Sequence, residues 1–303
     1  MDNTAGRLAG SGPMTTYLVG LDASDHARDA LSWALAVARQ DDPVVAVYAW
    51  DVPVVTGYET GLAVDATEVE GSSEALVRDL IGDQPPGRVD GRIAQGPAGH
   101  ALVEAAEELG PDVVVVVGHA GSGKTSVLLG STAHHVVRHT DRPVVVVRGA
   151  LRIPVADVVV GIDWDESDDD DPDAHSMAAL RWALALPGVA RVAVAHADFV
   201  PGVAAGPVVE PGLESEQEME DDDSRLRSAI DAATDGTGVA PNGAEITAVL
   251  AAGTGGFAMI EASREADLVV IGTRGRSGII ELITGSTTLE VLAHAHCPVA
   301  VVR

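Results

Sequence analysis

Short aliphatic runs recur along the chain, each bounded by Gly, Pro or Asp, and between them lie stretches whose apolar residues return every three or four positions. TYLVGLDAS (16–24), VAVYAWDVP (45–53), PDVVVVVG (111–118) and RPVVVVR (142–148) are of the first kind; DALSWALAVA (29–38) and AQGPAGHALVEAA (94–106) lead into the second. A Val-rich run between turn formers predicts a strand buried on both faces, and the wider spacing predicts a helix with one apolar side. Strands and helices in alternation predict parallel strands joined by helical crossovers.

The series then repeats. DVVVGIDWD (157–165) answers the opening strand, and MAALRWALAL (177–186) puts Trp182 where the first copy has Trp33. AVAHADFVP (193–201) answers VAVYAWDVP, AAGTGGFAMIEAS (251–263) answers AQGPAGHALVEAA, and CPVAVVR (297–303) answers RPVVVVR. From Asp112 and Asp267 to the ends at Arg148 and Arg303, the copies stay 155 positions apart. A repeat of this length means two copies of one domain. The expected fold is α/β: two tandem doubly wound, Rossmann-like domains, each a five-stranded parallel sheet with helices on both faces. The expected boundaries are 14–148 and 156–303, with a linker at 149–155 carrying Pro154 and a flexible tail at 1–13 that has no hydrophobic region of the signal-peptide kind.

Composition narrows the partners. Aromatics are only 3% and hydrophobic residues 46%, so the core must be aliphatic. Nineteen basic against 46 acidic residues give a net charge of −27, which argues against nucleic acid and against anionic membrane surfaces. The single Cys297 excludes an intrachain disulfide, and no apolar run reaches the roughly 18 residues of a membrane span, so a cytoplasmic protein is expected.

Residues 118–125 (GHAGSGKT) fit the phosphate-loop pattern G-x-x-x-x-G-K-[ST], and Lys124 is the only lysine in the chain. The repeat argues against a phosphate-loop NTPase. At a separation of 155, Lys124 faces Ile279 and Thr125 faces Ile280, and the strand after the loop ends at Arg148 rather than at an aspartate able to hold Mg²⁺. The NTPase using Lys124 is kept as the lesser alternative.

The second copy carries a different arrangement: Gly272 and Gly275 with two residues between them, nine more, then Gly285, Ser286 and Thr287. Gly272 and Gly275 can take φ > 0 and bring bare N–H groups to an anion. Gly285, Ser286 and Thr287 open a helix whose unpaired amides and dipole favour phosphate, and Arg274 and Arg276 supply counter-charge. Asp163 ends the first strand of this copy, where ligands of doubly wound sheets bind, and can accept a hydrogen bond from a ribose or base.

This G-2x-G-9x-G-[ST] pattern, set within a twice-repeated series ending in Pro-Val-x-Val-Val, resembles the ATP-binding branch of the universal stress protein family, in a tandem arrangement spanning residues 17–303. The resemblance implies bound ATP, with or without Mg²⁺, and implies that the backbone of Ala197 meets adenine. In the first copy the glycines stand out of register: Gly118, Gly121 and Gly130 are separated by two and then eight residues, with Ser131 and Thr132 following. Asp22 and Ala49 match Asp163 and Ala197, and Lys124 could reach a phosphate there.

Two acidic stretches, DWDESDDDDPD (163–173) and ESEQEMEDDD (214–223), are expected to be mobile and solvated, the first able either to hold Mg²⁺ or to repel ATP. His135 and His139, one turn apart, and HAHC (294–297) are expected to be structural, because His139 and His294 share a repeat position; no metal site is expected. No Ser-His-Asp or Cys-His set recurs in both copies, so no catalytic residue is assigned. The expected function is a nucleotide-binding stress-response regulator rather than an enzyme, slow hydrolysis aside. The rival is a non-nucleotide scaffold whose terminal strands pair with another copy or domain, and self-association through those strands is expected.

Overall fold

The computed structural model describes residues 14–24, 26–51, 66–118, 129–165, 168–198, 216–273 and 286–303. The first copy runs β1 (Tyr17–Leu21), α1 (Ala27–Val37), β2 (Val44–Trp50), α2 (Ala66–Ile81), β3 (Val89–Gln95), α3 (Ala98–Leu109), β4 (Val113–Val117), α4 (Ser131–His139) and β5 (Val144–Val147). The second runs β6 (Asp157–Gly161), β7 (Trp164–Asp165), β8 (Asp168–Pro172), α5 (Ala174–Ala185), β9 (Arg191–Asp198), α6 (Glu216–Ala233), β10 (Glu245–Ala252), α7 (Gly255–Ala262), β11 (Leu268–Gly272), α8 (Ser286–His294) and β12 (Val299–Val302).

The β-branched runs fold as the pattern demands. All five valines of β4 are buried, Val113, Val115 and Val117 facing one core and Val114 and Val116 the other. Helices α1, α2, α5 and α6 supply the first core, and α3, α4, α7 and α8 the second. Each core runs through both copies, because the strands form one ten-stranded sheet in the order β10-β9-β6-β11-β12-β5-β4-β1-β2-β3. All its pairings are parallel except the central one, where β12 meets β5 antiparallel with Val299 opposite Val146 and Val301 opposite Val144.

That central pairing corrects the expectation that the terminal strands mediate self-association: each is covered by the other, so neither has an edge for a second chain. The seam is closed by reciprocal arginines. Arg148, at the end of the first copy, donates from Nη2 to the carbonyl of Ala293 near the C-terminus of α8, and Arg303 donates to the carbonyl of Val137 near the C-terminus of α4 and pairs with Asp141. Both guanidinium groups thus lie at helix ends that carry partial negative charge. Gly149 follows with φ 63°, and a Cβ there would run into the backbone carbonyl of His296, so glycine is required. Arg152 anchors the connection by donating to the carbonyls of Ala266 and Arg264.

The described residues of the two acidic stretches take up regular structure rather than the expected loops. Residues 164–165 and 168–172 pair antiparallel as β7 and β8, Asp173 caps α5 by accepting from the Ser176 N–H, and residues 216–223 are the opening turns of α6. Acids in the first turns of a helix are favoured by its dipole, which explains why α6 takes a sequence that reads as a solvated loop.

Candidate functional site

In each copy the chain leaves the first strand to one side and returns to the fourth on the other, so the ends of these two adjacent strands form the crossover. Tyr17 lies opposite Val113, a register that, continued past the strand ends, sets Asp22 level with Gly118. Leu268 lies opposite Val158 and Ile271 opposite Gly161, which likewise sets Asp163 level with Thr273. The last helix of each copy, α4 or α8, starts beyond this crossover. Because β5 and β12 run antiparallel, the two crossovers lie at opposite ends of the sheet.

Around Asp163 the described groups interlock. Its N–H donates to Ser176 Oγ at 3.1 Å, its carbonyl accepts from the Asp173 N–H at 2.9 Å, and its Oδ1 accepts from the Trp164 N–H at 3.0 Å. The Trp164 ring packs against His196, centroids 5.2 Å apart, and the Arg225 guanidinium stands 6.0 Å over it. The Trp164 Nε1–H is enclosed without a partner. His196, buried in β9, points Nδ1 at the carbonyl of Ile162 at 3.0 Å, and a carbonyl only accepts, so the proton is on Nδ1. Ala197 is the next residue of β9, half-buried and paired with Ala251.

Gly272 ends β11 opposite Val302. It does not adopt positive φ, and a Cβ there would lie 2.6–2.8 Å from the backbone of His175 and Ser176 at the start of α5. The expected use of its left-handed freedom is therefore corrected: glycine is required here because the α5 backbone presses on the strand. Gly118 has a similar reason, since a Cβ would lie 2.6 Å from Val146 Cγ1. Its N–H donates to the Val147 carbonyl, and its carbonyl accepts from Gly130. Gly130 stands before α4 with no side chain capping the helix start, where Ser131 is exposed and Thr132 half-buried. Ser286 and Thr287 open α8, with Thr287 exposed. Asp22 closes a turn on its own loop, accepting from the Ser24 N–H and hydroxyl, and Ala49 is paired with Ala94. Gly121, Lys124, Arg274, Gly275, Arg276 and Gly285 lie outside the described residues.

Strand, helix and strand recur at the same spacing: β4, α4 and β5 become β11, α8 and β12 when each number is raised by 155. A model described as the universal stress protein family matches residues 14–148 and again 157–303. The chain belongs to the universal stress protein family. A universal stress protein of Mycolicibacterium smegmatis is 27% identical over 304 residues, covering 94% of this chain and 96% of its own length. One of Mycobacterium tuberculosis is 27% identical over 308 residues, covering 94% and 95%. The crystal structure of a universal stress protein from Archaeoglobus fulgidus shares the fold, with a TM-score of 0.65 at 16% identity, covering 95% of this chain and 98% of that one.

In this tandem universal stress protein, Trp164, Asp173, Ser176 and Arg225 escaped the sequence reading although they build the wall around Asp163. One signal was available: an aspartate three residues before a serine at the head of an apolar helix is a capping pattern. His139 and His294 play one part in both copies, each placing Nδ1 against the carbonyl one turn back, on His135 and Glu290. Among the described residues no group of three or more His, Cys, Asp or Glu could hold a metal ion. Nor is any helix among them long and apolar enough to cross a membrane.

Proposed function

We propose that this universal stress protein is a nucleotide-binding regulator that takes one ATP per chain, in the second domain. The observation that carries the reading is the position of the G-2x-G-9x-G-[ST] run. It begins at the end of β11, beside Asp163 across the crossover, and ends where α8 begins. The polar groups suit a nucleoside phosphate: N–H groups at the start of α8 and the Ser286 and Thr287 hydroxyls to donate to phosphate, the Asp163 carboxylate to accept from ribose, and the Ala197 backbone for adenine. Gly275, Gly285 and Arg276 complete the phosphate side. Bound ATP would bring a triphosphate, with or without Mg²⁺, whose charge these groups meet; the protein's part is binding, and no described residue is placed as a general base. We assign the protein to the cytoplasm.

The first domain has the same crossover and the same helix start, but Gly118 occupies the position of Thr273, so its glycines fall elsewhere along the loop. Asp22, Ala49, Gly121, Lys124, Gly130, Ser131 and Thr132 are accordingly given a lesser role. Calorimetric titration of the intact chain with ATP tests the reading. One site is expected, abolished by Gly285→Val and changed only a few fold by Lys124→Ala. Two equal sites, or a hundredfold loss on Lys124→Ala, would favour the phosphate-loop alternative, and no binding at all would favour the scaffold.

A further inference from the structure

Three imidazoles form a column between α3 and α4. His135 is the middle ring, its centroid 4.1 Å from that of His100 on α3 and 4.0 Å from that of His139 one turn along α4. His139 spends its Nδ1 proton on the His135 carbonyl, which fixes its tautomer and ring plane. The column fits because Gly99 faces it: a Cβ on Gly99 would lie 2.7 Å from His135 Cβ. No carboxylate among the described residues pairs with any of the three rings. We propose that the column His100, His135 and His139 is a proton-operated latch of the first domain, stacked and closed when neutral, and forced apart, loosening α3 from α4, when protonated.

Burial and the imidazoles around His135 push the same way. From α3 it meets His100, with Glu104 one turn further on; α4 itself adds His134, Arg138 and His139; the described residues of β4 and β5 bring no titratable side chain. Arg303 of β12 approaches the far end of α4 at Val137. Burial, followed by His139, His100 and His134, holds His135 below the ordinary imidazole value of 6.5. A group that binds its proton more weakly folded than unfolded gives stability that is present above the unfolded value and is lost as pH falls through the folded one. The latch therefore opens on acidification.

The second domain is an internal control. In the repeat, Phe257 replaces His100 and Glu290 replaces His135, while Gly256 makes room for Glu290 as Gly99 does for His135. No such column exists between α7 and α8. Because α4 opens at Ser131 and Thr132, loosening it moves the candidate anion-facing end of the first domain alone; the latch itself does not depend on the nucleotide reading.

Hydrogen exchange on the intact chain tests it, at about pH 7.5 and about pH 5.5, on either side of the imidazole range and corrected for intrinsic rates. Protection of α3 and α4 relative to α7 and α8 should fall about tenfold on acidification. His135→Glu, the residue of the second copy, should remove the drop by placing a carboxylate between two imidazoles. His100→Phe should reduce it. An equal fall in α7 and α8, or an undiminished drop in either folded variant, overturns the proposal.

Discussion

Gly272 shows how one residue can satisfy two readings. The sequence pattern assigns it to phosphate, whereas the structure gives it a packing duty, with the backbone of His175 and Ser176 within 2.8 Å of where a Cβ would stand. Backbone cannot swing aside as a long side chain can, so a larger residue must push α5 off the sheet. Gly272→Val should therefore destabilise the second domain by about 1–3 kcal/mol, the usual range for overpacking. Calorimetric melting without nucleotide would show it as a lowered transition; an unchanged transition with lost ATP binding would return the glycine to a pure ligand role. The same reasoning sorts the other reactive-looking residues. Cys297, fully buried, has its thiol pushed up to about 12 by burial, so it packs as a small apolar residue rather than as a nucleophile.

Among the elements, what could be read in the sequence was what repeats. Two Val-rich series 155 positions apart gave the strands and helices from β4 to β5 and from β11 to β12 with little ambiguity, because burial on both faces leaves a continuous β-branched signal. The hairpin β7–β8 was illegible for the opposite reason. Aspartate is a poor strand former, and what holds β7 in place is tertiary: Trp164 packed between His196 and Arg225, and Asp173 capping α5. The reason for Gly272 was hidden likewise, since nothing local tells where the α5 backbone will lie. The hairpin starts directly after Asp163 and carries Asp168, Asp169, Asp170 and Asp171 in its second strand. Changing Asp168, Asp169, Asp170 and Asp171 to Asn should tighten ATP binding at low salt, and the gain should fade as the Debye length shrinks to about 10 Å at 0.1 M. Titrations across a salt series would check this; weaker binding with lost Mg²⁺ dependence would identify the hairpin as a metal ligand instead.

In the whole molecule, the antiparallel meeting of β5 and β12 turns two five-stranded sheets into one and closes the edge each domain would otherwise expose. The strands are short and entirely aliphatic, a combination that pairs readily with any available partner strand. Both cores continue across the seam, and Arg148 and Arg303 each hold a helix end of the other domain. The fit is not symmetric in cost. Burial pulls both guanidinium pKa values down, but Arg148 has Nε and Nη1 unpartnered, whereas Arg303 has the Asp141 carboxylate beside it to offset part of the shift. A seam that tolerates an uncompensated buried cation must be held by strand pairing and aliphatic burial, and those survive cutting the linker. Residues 14–148 and 156–303 made as separate chains should therefore form a one-to-one complex when mixed, and each alone should self-associate through its uncovered terminal strand, while the intact chain does not associate through β5 or β12. Light scattering on the mixture, on each half and on the intact chain distinguishes these outcomes. Halves that stay monomeric alone and do not combine would show that the seam depends on the connection at Gly149 and Arg152, not on the strands it brings together.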